Sequence, residues 1–477
     1  MAYDKKLHKG RNVKRIALVL FFFVLLTGCQ TMPVVARLSL ENAGGFFLYV
    51  QPFPKEAERL RFSLEKVSAL TTKGEEIPLS LAFKDFNADT LGRQRLLAFV
   101  ALPPGEYGGL SFRVKNAGLK TQEGIASLIV PEGPVKVDFN FHVERKKAYV
   151  IQLALNYGEA INNVTFRPVF LASVPKMPLS GMTGYISNYG SDVVTVFDKK
   201  GIEASGAIAT GRGPRAVVAD RVRFKAYVAI SDEDAIEVID ILTGNTINSA
   251  RIAPGDDPRE IALTSDGSML LTANYGTRTV SFLDASNLVE LQRIPVGDGP
   301  RSLLIDNSGK KAYVFNSYSN SMSIIDIARR TVVATLPLES SPVRGQFNSK
   351  GDRLYVIFSG SPYLVVLDVA TLNVVRRAFI GMGAISMKVD TKTDLLYIGN
   401  RRDNSVTVYN PFTLTPSYSI RTGGPVGYMT IDGDENNLCL VMPEKNIVSI
   451  VNLISRKVVG EIEVAENPQW VSIIGER

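Results

Sequence analysis

The sequence is poor in the residues that most often bind metals or form cross-links. Its 477 residues include two cysteines, two histidines and one tryptophan. There is no Cys-x-x-Cys-His motif, which excludes a c-type haem attachment site. Only His142 follows the first thirty residues, so a histidine-rich copper or zinc site and a Ser-His-Asp triad in the carboxy-terminal part are excluded as well. We therefore predict no cofactor.

The amino-terminal apolar run is too short to cross a bilayer. Ile16–Leu26 has 11 residues, whereas a spanning helix needs about 20. A basic start and a short apolar segment are typical of a secretory signal peptide. The basic residues before the run are Lys5, Lys6, Lys9, Arg11, Lys14 and Arg15.

The end of this segment, Leu26-Thr27-Gly28-Cys29, resembles the lipobox of bacterial lipoproteins. The resemblance implies that residues 1–28 are a signal peptide, cleaved before Cys29, and that Cys29 then carries a lipid with acyl chains such as palmitate. An ordinary signal peptide with a chance cysteine is the alternative. Gln30 follows the cysteine, and in Gram-negative lipoproteins the absence of Asp here implies the outer membrane, facing the periplasm or the cell surface.

Excess positive charge is confined to the predicted signal peptide. The whole chain has 54 basic and 47 acidic residues, a net charge of +7. Six basic residues and one acidic residue lie in the leader, which leaves 48 against 46 and a net charge of +2. A protein that binds nucleic acid needs a sustained basic face, so we predict no nucleic-acid partner.

The carboxy-terminal part consists of a repeat of 42 to 44 residues with three columns of related residues. The first column begins strand-like segments at Tyr185, Tyr227, Leu271, Tyr313, Tyr355, Tyr397 and Cys439. The second is acidic or amide, and is predicted to cap turns by accepting backbone N–H bonds: Asp198, Asp240, Asp284, Asp326, Asp368, Asn410 and Asn452. The third is a loop residue: Pro214, Pro258, Pro300, Pro342, Ala384, Pro425 and Pro468.

Each repeat reads as four short strands, the pattern of a β-propeller blade. The pairs Asn188-Tyr189, Asn274-Tyr275 and Asn316-Ser317, with the Gly-x-x-Pro loops, resemble the YVTN family of bacterial propellers over roughly residues 181 to 477. The resemblance implies a seven-bladed β-propeller, which we place at residues 184–477. The chain ends on a strand-like segment without later partners, so we predict that this last strand completes the first blade, a velcro closure.

The amino-terminal part, residues 34–172, lacks the repeat. Its alternating segments predict a β-sandwich of six to eight strands, so the whole chain is expected to be all-β. The stretch Leu102–Val114 contains a Pro-Gly-x-Tyr turn and resembles transthyretin-like, Ig-like sandwich domains of envelope proteins. Residues 173–183 are predicted to be a linker, with the first domain holding the second away from the membrane.

Arginines stand directly after the loop residue in three successive repeats and one place later in the next repeat, which suggests a binding site at the mouth of the propeller. Converging guanidinium groups can hold a carboxylate or phosphate. The alternative is that these arginines form salt bridges with acidic residues of the same loops. The predicted site residues are Arg215, Arg259, Arg301 and Arg344, with Asn188, Asn274, Asn316 and Asn400 from the neighbouring loops.

Two functions are compatible with these features. The first is a non-catalytic binding or scaffold module for an envelope protein, a peptide or a glycan, and the scarcity of histidine favours it. The alternative is a lactonase-type hydrolase with a metal held by carboxylates in the channel, which needs several oxygen ligands and an open position for water. The candidate ligands for that alternative are Asp256, Asp257, Asp298 and Glu339.

Overall fold

The computed structural model describes residues 40–476. The predicted signal peptide and the lipidation site at Cys29 lie outside the described residues. Within residues 40–476 no helix is long and apolar enough to span a bilayer. This part of the chain is all-β. Its helical elements are an α-helical turn at Tyr157–Ala160 and 3-10 turns at Lys55–Ala57, Ser180–Met182, Ser231–Glu233 and Pro443–Lys445.

Twelve strands precede the repeat region. The first six are β1 (Gly44–Val50), β2 (Leu60–Thr71), β3 (Glu76–Pro78), β4 (Asp85–Asn87), β5 (Arg95–Leu102) and β6 (Gly105–Lys120). The next six are β7 (Ile125–Leu128), β8 (Val135–Val143), β9 (Ala148–Leu155), β10 (Ile161–Asn162), β11 (Thr165–Phe166) and β12 (Phe170–Ser173). One sheet has the order β12-β9-β1-β5, and another has the order β3-β2-β6-β7 with β4 beside β2 and β8 beside β6, while β10 and β11 form a small hairpin.

The two larger amino-terminal sheets share one apolar core. Phe46 of β1, Phe62 of β2 and Phe112 of β6 are all buried in it. The Phe62 ring stacks on Phe86 with centroids 4.7 Å apart. Burying an aromatic or aliphatic side chain of this size contributes about 1.5–3 kcal/mol to the stability of the fold. The buried aromatic residues therefore hold the two sheets together.

Within the described residues the repeat region forms seven antiparallel four-stranded sheets. The first sheet contains β13 (Thr183–Asn188), β14 (Val193–Asp198) and β15 (Glu203–Ala209). The second and third are β16 (Pro214–Asp220), β17 (Lys225–Ile230), β18 (Ala235–Asp240), β19 (Thr246–Arg251), and β20 (Pro258–Leu263), β21 (Met269–Asn274), β22 (Thr279–Asp284), β23 (Glu290–Pro295).

The remaining sheets follow in chain order. The fourth and fifth are β24 (Pro300–Ile305), β25 (Lys311–Asn316), β26 (Ser321–Asp326), β27 (Thr331–Pro337), and β28 (Pro342–Phe347), β29 (Arg353–Phe358), β30 (Tyr363–Asp368), β31 (Val374–Phe379). The sixth and seventh are β32 (Ala384–Val389), β33 (Leu396–Asn400), β34 (Ser405–Tyr409), β35 (Pro416–Arg421), and β36 (Tyr428–Asp432), β37 (Asn437–Met442), β38 (Ile447–Asn452), β39 (Lys457–Glu463). The last strand is β40 (Pro468–Ile473).

The Asp/Asn column caps the turn that follows the third strand-like segment of each repeat, as its sequence predicts. Asp240 Oδ1 accepts the backbone N–H groups of Leu242 at 2.9 Å and Thr243 at 2.8 Å. The bond from the Thr243 backbone is the largest of several that lower the pKa of Asp240. The same pattern recurs at the other members of the column, Asp198, Asp284, Asp326, Asp368, Asn410 and Asn452. The column is therefore structural.

The last strand completes the first sheet. β40 pairs antiparallel with β13, from Gly184 opposite Ile473 to Ser187 opposite Trp470. The first sheet thus joins both ends of the repeat region, and its order is β15-β14-β13-β40. One strand from each sheet, which we call the inner strands, contacts its counterparts in the sheets on either side, and these contacts form a closed cycle: β40, β16, β20, β24, β28, β32, β36 and β40 again.

The amino-terminal sheets pack against the first and seventh sheets of the repeat region. Phe47 and Val150 share an apolar cluster with Ile186 and Ile462. The Tyr49 hydroxyl donates a hydrogen bond to the Glu463 backbone carbonyl at 3.0 Å. The two parts are therefore joined by a packed interface and not only by the connecting residues 173–183.

Candidate functional site

The four predicted arginines lie at the start of four successive inner strands. Each of these strands begins with its proline, and the pairing with the next strand shifts by one residue directly after it. In β20 and β24 the extra residue of this bulge is Arg259 and Arg301. A bulge redirects a side chain out of the regular alternation of the strand. The bulge thus explains why Arg259 and Arg301 leave the regular alternation of their strands.

The four side chains converge. Burial lowers the pKa of Arg301, and the positive charges of Arg344, Arg259 and Arg215 lower it further. Burial also lowers the pKa of Arg215, with Arg259 as the next largest cause. Mutual repulsion of this kind requires the guanidinium groups to be close to one another. We call Arg215, Arg259, Arg301 and Arg344 the arginine cluster.

Arg344 is paired with a carboxylate from another sheet. Its Nη1 and Nη2 donate to the two carboxylate oxygens of Glu260 at 2.9 and 3.2 Å. The Glu260 residue is only 5% exposed. The Arg344 guanidinium also lies 5.1 Å from the ring centroids of both Tyr428 and Trp470. Those rings stack on each other with centroids 3.7 Å apart, so this arginine is fixed on two sides.

Arg215 and Arg259 share one carboxylate. Arg259 Nε and Nη2 donate to Asp257 Oδ2 at 2.8 and 2.5 Å. Arg215 Nε donates to the Ser231 hydroxyl at 3.1 Å, and that hydroxyl donates to Asp257 Oδ1. One negative charge therefore serves two arginines.

Arg301 has no such partner. It makes no hydrogen bond or ion pair with any residue of the described range 40–476. Its side chain remains accessible to solvent although protein groups surround it. The cluster contains four cations but only two carboxylates, those of Asp257 and Glu260, among its bonded partners. The uncompensated charge is centred on Arg301.

Aromatic rings line the arginine cluster. Arg215 lies 4.4 Å from the centroid of the Tyr189 ring and Arg259 lies 4.2 Å from that of Tyr275. The Tyr275 and Tyr318 rings are 5.5 Å apart, and the Tyr318 side chain is 72% exposed. A cation over an aromatic face gains about 0.5–2 kcal/mol, so the rings hold these arginines in place while Tyr318 stays open to a ligand.

The other three inner strands carry no charged residue at either of the first two positions after the loop residue. Ile385, Val426 and Gln469 follow the loop residue there. At these two positions, positive charge therefore comes from four consecutive sheets, and the Tyr428–Trp470 stack belongs to the seventh and first sheets.

The four asparagines do not belong to this site, which corrects the sequence-based prediction. Asn188, Asn274, Asn316 and Asn400 are buried. Each of the first three donates its side-chain amide to a hydroxyl seven residues later in the same sheet, at 2.9, 2.7 and 3.0 Å. The oxygen of Asn400 accepts the Arg402 N–H at 2.9 Å. These side chains hold hairpins together inside the sheets and are not presented to a ligand.

The carboxylates considered as metal ligands are separated and individually paired. Within residues 40–476 no three His, Cys, Asp or Glu side chains are grouped so that they could hold a metal. Each of the four carboxylates forms an ion pair with an arginine. A metal would have to displace these arginines and bring the carboxylates together, which opposes the metal-site alternative. The pairs are Asp256–Arg293 at 2.6 Å, Asp257–Arg259 at 2.5 Å, Asp298–Arg278 at 3.3 Å and Glu339–Arg377 at 3.0 Å.

The sequence analysis did not identify Glu260, Tyr428 or Trp470 as residues of this site. For Glu260 and Trp470, the sequence did contain a signal. Glu260, Arg344 and Trp470 all stand two places after the loop proline of their repeat, and these three side chains meet in the structure. Comparing this column across repeats would have identified the contact.

Comparisons with solved structures identify the fold. The chain is similar to a hydrazine synthase of Kuenenia stuttgartiensis, at 20% identity and a TM-score of 0.52, over 57% of this chain and 93% of that one. It is also similar to a dihydro-heme d1 dehydrogenase, at 14% identity and a TM-score of 0.50, over 64% and 78% of the two chains. A third similar structure is a candidate 6-phosphogluconolactonase from Bacteroides fragilis NCTC 9343, at 16% identity and a TM-score of 0.51, over 62% and 99%.

These three structures are β-propeller proteins, and the repeated four-stranded sheets of this chain are consistent with that fold. At such low identity the similarity concerns the fold alone. No protein-family model and no curated protein matches the sequence.

Proposed function

We propose that this chain is a lipid-anchored envelope protein whose repeat region is a non-catalytic binding module. In this proposal the seven sheets are the blades of a closed propeller of the YVTN type, and the arginine cluster lies at the mouth of its central channel. The bound group is a carboxylate or phosphate carried by a protein, peptide or glycan of the cell envelope. Arginine suits both anions because its planar fork can donate two parallel hydrogen bonds.

The closed cycle of contacts among the inner strands supports the propeller. The pairing of β40 with β13 supports the velcro closure, because it leaves no unpaired edge where the two ends of the ring meet. The shared core of the two amino-terminal sheets supports a sandwich domain at residues 34–172. The sequence around Cys29 supports the lipid anchor and attachment to the outer membrane.

One observation carries the binding role: Arg301 has no bonded partner among the described residues and lies close to three other arginines. Folding places a cation there at a cost, because like charges nearby destabilise one another. An anionic ligand would remove that repulsion and would find two aromatic surfaces beside it, Tyr318 and the Tyr428–Trp470 stack.

The test uses the protein from residue 30 onward and three probes: inorganic phosphate, a tetraglutamate peptide and a tetragalacturonate. Isothermal titration measures the affinity of each for the unaltered protein and for Arg301→Gln. We expect at least one probe to bind, and its affinity to fall at least tenfold in the variant. Arg278→Gln is the matched control, because Arg278 is an exposed arginine paired with Asp298 at 3.3 Å outside the cluster.

Two results would overturn the proposal: no probe binds, or Arg301→Gln binds as well as Arg278→Gln. The anchor is tested separately by replacing Cys29 with alanine in cells. We expect the unaltered protein in the membrane fraction and the variant outside it. A photo-crosslinking amino acid at Tyr318, followed by mass spectrometry, would then identify the natural partner.

A further inference from the structure

A cavity lies between the amino-terminal sheets and the first two sheets of the repeat region. It is a cleft of about 1030 Å³ lined by β9, by the connecting segment at Val174, Pro175 and Met177, by β15 and by residues of β18 and β19. Pockets for drug-sized molecules occupy ~300–1000 Å³. The cleft is therefore large enough for several residues of an extended chain.

One wall of the cleft is the outer edge of β15. This strand consists of small residues apart from Glu203 and Ile208, with the sequence Glu-Ala-Ser-Gly-Ala-Ile-Ala. Gln94, from the amino-terminal sheets, already pairs with its edge: the Gln94 amide donates to the Ala204 carbonyl at 3.2 Å and accepts the Ala204 N–H at 2.9 Å. A side chain thus occupies the position that a neighbouring strand would take.

The rest of this edge has free backbone groups. The Thr210 N–H donates to the Asp192 carbonyl at 2.9 Å, so this pair is bonded within the sheet. Bonded and non-bonded pairs alternate along an antiparallel ladder. The peptide groups of Ala207 and Ala209, which are opposite Thr195 and Val193, therefore point away from β14 and into the cleft.

The second wall carries a carboxylate with one unused oxygen. Glu237 Oε1 accepts the Gly211 N–H at 3.0 Å. Its Oε2 is buried and has no hydrogen-bond partner in residues 40–476. A buried acceptor without a partner is unfavourable, because it has lost its hydrogen bonds to water without gaining others. Of the cations that line the cleft, Arg212 bonds to Glu233 instead, and Lys146 acts on Glu237 through its charge without a hydrogen bond to it.

Together these features point to a peptide ligand. A free strand edge recognises main chain by adding a strand to the sheet, and side-chain pockets then supply specificity. We propose that the cleft binds an extended peptide segment that pairs with β15 at Ala207 and Ala209 and places a lysine or arginine side chain against Glu237 Oε2. This site differs from the arginine cluster in the ligand that it would select, since it needs a basic group and the arginine cluster needs an acidic one.

The test uses the protein from residue 30 onward and two blocked hexapeptides, acetyl-Thr-Val-Lys-Val-Thr-Val-amide and the same peptide with norleucine for lysine. Fluorescence anisotropy of labelled peptides gives the affinities. We expect the lysine peptide to bind at least tenfold more tightly than the norleucine peptide. Glu237→Gln should abolish that difference and leave the norleucine peptide unchanged. Arg301→Gln, in the other site, is the control and should change neither affinity.

Amide hydrogen exchange is a second test of peptide binding, and its result does not depend on Glu237. Bound lysine peptide should slow exchange of the Ala207 and Ala209 amides, while the amides of the outer strand β23, in the third sheet, stay unchanged. The proposal is wrong if neither peptide binds below about 1 mM, if the two peptides bind equally, or if Glu237→Gln leaves the preference for lysine intact.

Discussion

Two clusters of charged residues in the repeat region differ in how many N–H donors of their cations are bonded to other residues of the protein. Where the seventh sheet meets the first, Lys199 donates to Asp432 at 3.1 Å, to Asp434 at 2.8 Å and to the Ile474 carbonyl at 3.0 Å. An ammonium group has three N–H donors, so every one is used. In the arginine cluster, by contrast, Arg301 uses none with the described residues.

The difference follows from burial. Lys199 and Asp432 have side chains only 3% and 2% exposed, and a charge at that depth is tolerated only when its partners are complete. Burial opposes the charged form of Lys199, but the hydrogen bonds that it donates to Asp434 and Asp432 more than offset this effect and raise its pKa. Arg301 keeps access to water and can remain unpaired. The Lys199 cluster is therefore complete within the fold, whereas the arginine cluster keeps one cation that is not bonded to any described residue, which is the basis of the proposed binding role.

The largest effect is expected from removing the strand that joins the two ends of the repeat region. A chain that ends at Asn467 loses β40, which exposes the edge of β13 and removes Ile474 from Lys199. We expect the cooperative thermal transition to disappear in differential scanning calorimetry. A chain that ends at Gly475 retains β40 and is the control. An unchanged transition after the longer truncation would mean that closure contributes nothing to cooperativity.

The next effect concerns the Lys199 cluster itself. Lys199→Met leaves Asp432 buried without its cation, and removing one partner of a buried pair costs about 3–5 kcal/mol. Urea denaturation should show this loss as a lower midpoint with an unchanged slope. Lys200→Met, at the exposed neighbouring position, should change the unfolding free energy by less than about 0.5 kcal/mol. Equal midpoints for the two variants would contradict the structural role of Lys199.

The repeat itself was predictable from sequence because its signals are local. Asp240 caps the residues directly after it, and the spacing of the proline column places Arg259 and Arg301 at the start of their strands. Such features depend on neighbours within a few residues, which any one repeat displays. Seven copies with the same spacing then make the architecture a reasonable prediction.

The long-range contacts of the candidate site and of the interface between the two parts were not predictable in this way. Arg344 and Glu260 are 84 residues apart, and Tyr49 and Glu463 are 414 residues apart. A pattern of neighbouring residues does not predict contacts between residues so far apart in the sequence. Asn274 was assigned to the mouth because it was placed in a loop expected to surround it, but it is the last residue of β21 and its partner Ser281 lies on the paired strand inside the sheet. The orientation of a side chain at a strand end depends on register, which the sequence alone left open.

A third prediction extends the comparison to Glu237, which is buried but incompletely paired. Burial raises the pKa of Glu237 to about 7, with Glu233 raising it, and the Gly211 N–H and Lys146 lowering it. The folded state therefore holds this proton up to a higher pH than the unfolded state, so stability falls as the pH rises from about 4.5 to about 7. Glu237→Gln does not titrate, and its unfolding free energy should gain about 1–3 kcal/mol relative to the unaltered protein between pH 5 and pH 8. Urea titrations at the two values measure this; a difference independent of pH would show that Glu237 is not protonated in the fold.

The smallest effect on stability, and the one of opposite sign, is expected at Arg301. Arg301→Gln breaks no bond to the described residues and removes repulsion from Arg344, Arg259 and Arg215. The variant should be as stable as the unaltered protein or more stable by up to about 1 kcal/mol, and the gain should shrink in high salt, because salt screens exposed charges. Arg344→Gln is the comparison variant. It leaves the buried Glu260 carboxylate without its partner and should lower the free energy of unfolding by about 3–5 kcal/mol. If Arg301→Gln were as destabilising as Arg344→Gln, Arg301 would be a structural residue like Lys199, and the argument that an unpaired cation marks the binding site would fail.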